Sequence, residues 1–284
     1  MSDLEPRLHA WRPDLADARL KGQVPSSRYN EGTLKRLVAA SAPLKSTPRS
    51  DAPFASELIR GEVVRIFEET IEGWAWGQNQ TDGYVGYLPS DALGPLTPQP
   101  THRVVALRTF IYPGPDMKLP PLAALSLGAT VALAGEAETR GTLYRLLAGG
   151  EGAVGAVHVA PLAAPPEPDF VAVAERFRNV PYLWGGRTSL GLDCSALVQL
   201  SLMAAGVAVP RDTDMQAAAI GGEVPLDDLR RGDLVFWPGH VAIARDAARL
   251  VHASGYHMAV VEEAAAEALK RIGAKSGPPT VRRL

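Results

Sequence analysis

The rhythm of apolar and polar positions changes twice along the chain. Residues 1–30 mix both kinds around Pro6, Pro13 and Pro25 with no clean period, which marks a lead-in segment that packs on something else. Residues 34–162 switch to short alternating runs broken by Gly and Pro. The runs Gly61-Glu-Val-Val-Arg-Ile-Phe67, Trp74-Ala-Trp76 and Gly83-Tyr-Val-Gly-Tyr-Leu88 alternate as half-buried strands do, and Asp82-Gly83 is a hairpin turn signal. The run Ala163-Ala-Pro-Pro-Glu-Pro168 reads as a linker, and beyond it helical spacing appears. Residues 169–177 place Phe170, Val173, Ala174 and Phe177 on one face, and residues 194–205 read as a buried helix stopped by Gly206. Residues 234–237, 241–244 and 250–252 are strand-like, a further helix falls within 261–272, and 280–284 closes the sheet.

The β-rich stretch repeats itself. Val38-Ala39 recurs as Val105-Ala106, Pro53 as Pro120, Gly61 as Gly128, Val64 as Val131 and Ile66 as Leu133, each 67 residues on. Trp76 falls opposite Tyr144, and Asp82-Gly83-Tyr84-Val85-Gly86 opposite Glu151-Gly152-Ala153-Val154-Gly155. Two small barrels of about five short strands fit such a duplication, because closure removes exposed edges. The alternative is one larger sandwich over 34–162. The domain layout expected is a lead-in at 1–32, barrels at 33–99 and 100–163, and an α+β domain at 164–284.

Composition narrows the class. The chain has 284 residues, 46% hydrophobic and 21% charged, as globular proteins do. A net charge of −2 gives no electrostatic case for nucleic acid or for an anionic membrane surface, and no apolar run is long enough to span a bilayer. One cysteine, Cys194, excludes internal disulfides and multi-thiolate metal sites. The opening Met-Ser-Asp-Leu-Glu-Pro-Arg-Leu-His carries no apolar core of a signal peptide, so the expected compartment is the cytoplasm.

Cys194 stands between Gly191-Leu-Asp193 and Ser195-Ala-Leu-Val-Gln199, at the first turn of the expected helix. The helix dipole and its unpaired N–H groups favour a thiolate there, with Asp193 or Ser195 as cap. A lone buried cysteine is otherwise a small hydrophobe. His240 opens one strand and His252 lies 12 residues on, in the next. Should those strands pair through a turn near Asp246, the two rings are cross-strand neighbours facing the helix end. Nucleophile, base and orienter are then assembled. His257 competes with His252 for the third place, while His9, His102 and His158 read as surface or packing residues. A zinc site from Cys194, His240 and His252 is the less favoured reading, and no metal or cofactor is expected.

The motifs Pro181-Tyr-Leu-Trp-Gly-Gly186, Gly191-Leu-Asp-Cys-Ser-Ala-Leu-Val-Gln199, Gly232-Asp-Leu-Val-Phe-Trp237, Gly239-His-Val-Ala-Ile243 and Leu250-Val-His-Ala253 occur in this order. Together they resemble the NlpC-type cell-wall cysteine peptidase family over residues 170–284, with Ala196 where the family usually has Gly. The β-rich repeats resemble bacterial SH3-like domains. The resemblance implies a papain-like α+β catalytic domain preceded by two small all-β SH3-like barrels. It also implies Cys194 as nucleophile, His240 as base, His252 as orienting residue and Tyr182 beside the nucleophile. The activity implied is hydrolysis of the γ-D-glutamyl–diamino acid bond in peptidoglycan-derived peptides. Relatives with an SH3-like domain beside the cleft act on peptides with a free N-terminal L-Ala. By analogy Asp193 and Ser195 bind the terminal amine, and Trp76 or Tyr84 forms a wall. The expected protein is a monomeric murein-recycling peptidase with a peptide as its only partner. The rivals are a secreted hydrolase of intact peptidoglycan, a non-catalytic wall-peptide binder and an acyl transferase on lipids.

Overall fold

A computed structural model describes residues 4–150 and 152–284 of the chain. Glu151, set opposite Asp82 in the repeat, lies outside the described residues, as do the first three residues of the lead-in. The chain divides into two compact units, Met1–Ala164 and Pro165–Leu284, with the division inside the proline-rich run.

In the first unit, seven antiparallel strands form one sheet. Their order is Phe54–Ile59, Ser41–Lys45, Val85–Pro89, Trp74–Asn79, Val63–Glu69, Thr33–Leu37 and Leu93–Gly94. Alternate residues Leu37, Leu44, Leu58, Val64, Ile66 and Leu88 meet inside as a core. The same succession of elements then recurs. Ser41–Lys45 has its counterpart in Arg108–Ile111, Trp74–Asn79 in Thr142–Leu147, and Val85–Pro89 in Ala153–Gly155. The short 3-10 turn Ser90–Ala92 has its counterpart in Ala156–His158. This half has its own core of Val104, Ile111, Leu125, Val131, Leu147 and Val154. Its strands are split among three small sheets. One break falls where the pairing of Leu133–Thr139 with Thr142–Leu147 slips between Leu133 and Glu136. Each ladder joins strands of the same half.

The two halves touch at Gly61. Its φ is +93°, and a Cβ there would fall 1.9 Å from Thr130 Oγ1, so only glycine fits. The lead-in segment does find something to pack on. Ala10 and Leu15 bury against Phe67 and Trp76, and the Arg7 carbonyl accepts from the Val85 N–H at 2.8 Å.

The second unit is α+β. Its six-stranded antiparallel sheet runs Gly222–Val224, Thr280–Arg283, Leu234–Trp237, His240–Ala244, Arg249–Ser254, Ala259–Ala264. Four helices accompany it: α1 (Phe170–Arg176), α2 (Cys194–Ala204), α3 (Thr213–Ala219) and α4 (Ala265–Ser276). Asp169 caps α1 by accepting from the Val171 and Ala172 N–H groups, and Gly206, at φ +82°, follows the end of α2. The C-terminal strand does join the sheet, inserted between two earlier strands.

Two readings of the sequence need correction in this unit. The helix expected within 261–272 begins only at Ala265, because Ala259–Ala264 pairs along its whole length with Arg249–Ser254. Val260 and Val261 are β-branched and favour that strand, whereas the following Ala and Glu residues carry helix propensity and blurred the boundary. Helix α3 was not anticipated, since its seven residues have too little periodicity to stand out.

Candidate active site

Helix α2 begins in a tightly folded loop. A Cβ on Gly186 would lie 2.6 Å from the Gly191 carbonyl, so this closeness requires glycine at that turn. Asp193 is the N-cap, and its side chain accepts from the Ala196 N–H at 2.9 Å. Cys194 is therefore the first helical residue, with a backbone N–H that has no partner within the helix. Its thiol is buried, accepts the Val241 N–H, and lies 3.8 Å from the Thr213 hydroxyl at the start of α3. Val241 follows His240 directly, so the thiol sits where that strand begins.

The sheet register explains the next contacts. Ile243 opposite Val251 places His252 diagonally across from His240 on the same face, the arrangement in which side chains of neighbouring strands reach each other. His240 Nε2 is 2.7 Å from His252 Nδ1. The following strand repeats the step. His252 stands opposite Val261, which puts Glu263 diagonally beyond it, and His252 Nε2 is 2.7 Å from Glu263 Oε1. Arg271, from α4, donates to the same carboxylate oxygen.

These contacts fix the protons. A carboxylate only accepts, so His252 Nε2 donates to Glu263. With that proton on Nε2, His252 offers Nδ1 as the acceptor for His240 Nε2. The remaining nitrogen of His240, Nδ1, carries a lone pair and is the basic one. Burial, followed by the neighbouring His252 and Arg271, lowers the His240 pKa to about 3, against a smaller opposing pull from Glu263. Burial works to raise Glu263, but hydrogen bonds from His252 and Arg271 outweigh it and bring it to about 2. Burial and Asp193 push the Cys194 thiol up, with the Val241 N–H and Thr213 opposing. Both shifts favour the uncharged forms, thiol and imidazole.

Tyr182 stands at the same place. Burial and the neighbouring Cys194 and Asp193 hold its hydroxyl protonated, as a donor. Its backbone N–H bonds the Met258 carbonyl at 3.0 Å, and the two segments so joined expose Leu183, Trp184, Tyr256 and Met258.

Asp193 and Ser195, expected to bind an amine, already carry partners in this structure. Asp193 receives both arms of buried Arg211, at 2.9 and 2.6 Å, and the Gly185 N–H at 3.0 Å. It also accepts the Ala196 N–H and the Ser195 hydroxyl, so the roughly four acceptor sites of a carboxylate are filled. Ser195 Oγ in turn accepts from Arg211 at 2.8 Å. Trp76 and Tyr84 are buried within the first unit and offer no open ring face. Trp76 packs with Phe67 at 5.6 Å and is covered by Arg12, 4.3 Å from its centroid. Tyr84 lies in the seven-stranded core.

Sequence reasoning missed Glu263, Arg271, Arg211 and Thr213. The alternation of Val261 and Glu263 was a signal for the first, had the strand been recognised. Arg211 and Thr213 lie in a loop and a short helix whose spacing carries no pattern.

Residues 179–271 match the NlpC/P60 family, and residues 44–93 match the bacterial dipeptidyl-peptidase SH3 domain. The chain is 27% identical over 236 residues to dipeptidyl-peptidase 6 of Lysinibacillus sphaericus, covering 77% of this chain and 86% of that protein. It is 44% identical over 69 residues to the gamma-D-glutamyl-L-lysine dipeptidyl-peptidase of Bacillus subtilis, covering 24% of this chain and 23% of that one. A crystal structure of an NlpC/P60 family protein from Bacillus cereus shares the fold, with a TM-score of 0.72 and 19% identity over 88% of this chain and 99% of that one. With a buried thiol at a helix start and these matches in agreement, the chain is a cysteine peptidase with an NlpC/P60 domain over residues 179–271 and a bacterial dipeptidyl-peptidase SH3 domain over residues 44–93.

Proposed function

We propose that the chain hydrolyses the γ-D-glutamyl–diamino acid bond of peptidoglycan-derived peptides, releasing an L-Ala-γ-D-Glu dipeptide from a free amino end. Supporting the chemistry is the chain of contacts His240–His252–Glu263 beside the helix-borne thiol, with both His252 contacts at 2.7 Å. Supporting the substrate are the names of the two dipeptidyl-peptidase relatives.

His240 Nδ1 takes the thiol proton as Cys194 Sγ attacks the γ-glutamyl carbonyl carbon. The developing oxyanion accepts from the Cys194 backbone N–H and the Tyr182 hydroxyl. His240 gives its proton to the departing amine of the diamino acid, leaving a thioester on Cys194. Water, deprotonated by His240, then attacks the thioester, and the proton returns to sulfur as the γ-glutamyl carboxylate leaves. His252 and Glu263 touch no substrate; they keep the His240 lone pair on Nδ1.

Mass spectrometry of L-Ala-γ-D-Glu-meso-diaminopimelate after incubation with the protein tests this, beside the N-acetylated peptide and a Cys194→Ala control. Cleavage of the free peptide alone, lost in the variant, is expected. Cleavage of both forms removes the amine requirement, and cleavage of neither rejects the substrate. A free thiol nucleophile works in a reducing compartment, so we place the enzyme among recycled peptides in the cytoplasm. Cell fractionation that finds it with the wall overturns this.

We also infer that the first unit holds two SH3-like barrels in tandem, supported by the strand-by-strand recurrence and the two separate cores. Residues 33–94 and 102–161 then superpose element on element; a mismatch in strand order overturns the inference.

A further inference from the structure

The peptidase reaction makes no use of a cavity of about 140 Å³ between the two halves of the first unit. Arg36 and Arg60 reach it from the first half, Thr130 and Leu147 from the second, and Thr97 and Pro98 from the connection. The two arginines and the two threonines are the polar side chains among the described lining residues, and none of these residues is acidic.

Arg36 is the unusual member. Its Nε and Nη2 donate to the Leu96 carbonyl at 3.3 and 2.9 Å, and Nη2 also donates to Gln99 Oε1 at 2.9 Å. Nη1 donates to the Gly61 carbonyl at 3.1 Å. All three acceptors are neutral oxygens. A guanidinium has five N–H groups, so these four bonds leave one, on Nη1, over. Burial lowers the Arg36 pKa, with no carboxylate opposing it. Arg19 and Arg283, bonded to Asp17 and Asp233, are raised instead. Taking a cation partly out of water among neutral oxygens is costly, and an anion on the remaining N–H offsets that cost. We propose that the cavity binds a small carboxylate with a short apolar stem, a free acid or the carboxyl end of a peptide, held through Arg36 Nη1.

Size and lining select among anions. One water takes roughly 10–15 Å³ of such a space, so this cavity accepts a carboxyl group and a few carbons. The stem lies against Pro98 and Leu147 and buries apolar surface that a phosphate would leave wet. The hydroxyls of Thr97 and Thr130 are donors for the second carboxylate oxygen. Arg60, with its Nη1 on the Val38 carbonyl, adds positive charge to a lining of one sign, which concentrates anions.

The site lies in the first unit and does not depend on the peptidase reading. Its test is calorimetric titration, at low salt, of the full-length Cys194→Ala protein with sodium butyrate, N-acetylalanine or inorganic phosphate. One carboxylate per chain is expected, with butyrate the tighter where free acids are the ligands and N-acetylalanine the tighter where peptide ends are. Arg36→Gln should weaken it at least about tenfold. Because Arg36 also ties down Leu96 and Gln99, a second variant leaves those bonds in place. Ala148 is exposed at the lining, so Ala148→Phe fills the cavity without removing a charge, and binding should be lost. Binding untouched by both substitutions, binding of phosphate alone, or no binding of either carboxylate overturns the site.

Discussion

Arginine settles the fate of a conspicuous motif residue in each unit, with different consequences. In the first, Arg12 lies 4.3 Å above the Trp76 ring and bonds the Tyr87 hydroxyl at 2.6 Å and Glu68 at 2.7 Å, with a side chain still 19% exposed. In the second, Arg211 grips Asp193 with both arms at 1% exposure. Both Trp76 and Asp193 look available to a substrate in the sequence, and both are covered by a cation from outside the motif. Burial separates them. A partly hydrated cation over a ring contributes modestly, whereas a buried carboxylate without its cation is costly.

The largest effect expected is therefore at Arg211. Arg211→Ala leaves Asp193 buried without a cation at the start of α2, and should cost about 3–5 kcal/mol in denaturant unfolding of the second unit. Arg211→Lys, a point charge in place of a two-armed fork, should recover only part of this. A loss below about 1 kcal/mol for Arg211→Ala would make the pair no stronger than a surface bridge.

Glu263 comes next. Removing it takes away the acceptor that holds the His252 proton on Nε2; with that proton on Nδ1, His240 Nε2 becomes the acceptor and His240 Nδ1 loses its lone pair. Glu263→Ala should lower kcat about 100-fold, short of the ~10⁴-fold known when a triad carboxylate bonded directly to its base is replaced. Glu263→Gln, whose amide oxygen still accepts from His252, should fall between the parent and Glu263→Ala. A kcat within about twofold of the parent for Glu263→Ala would mean that the outer contact does not position the base.

The pH dependence sharpens the same point. His240 is lowered in the fold to about 3, so its neutral form is the one the fold favours. Its contribution to stability is present above the ordinary histidine value of 6.5 and is lost as pH falls toward about 3. Glu263, lowered to about 2, contributes above about 4.5 and loses this as pH falls through about 2. The acid limb of kcat/KM should accordingly lie well below 6.5; a limb centred at 6.5 would show an imidazole titrating as it does in water.

Much of this was legible from the chain. The repeat showed because identical spacings survive in short strands, and the helix start at Cys194 showed because Asp-Cys-Ser after a glycine loop announces one. His240 and His252 could be paired because one turn separates their strands. Glu263 was hidden by a boundary: Val260–Val261 and the Ala/Glu run behind it pull toward different structures, and only pairing with Arg249–Ser254 decides where the strand ends. Arg211 was hidden for a different reason. It meets Asp193 across 18 residues of loop and helix, a contact made by tertiary packing with no period to betray it.

The smallest effect tests the other half of the comparison. Arg12→Ala uncovers the Trp76 ring while leaving Phe67, Ala10 and Leu15 packed around its other sides. Loss of the stacked cation and of the aliphatic stem should cost the first unit about 1 kcal/mol, read as a shift of its thermal transition. Because Trp76 is then core and nothing more, KM for the free-amine peptide should stay at the parent's value. A changed KM at unchanged kcat would return that ring to substrate recognition. It would also mean that the two arginines do opposite things, Arg211 sealing a carboxylate permanently and Arg12 covering an aromatic face that the substrate uncovers.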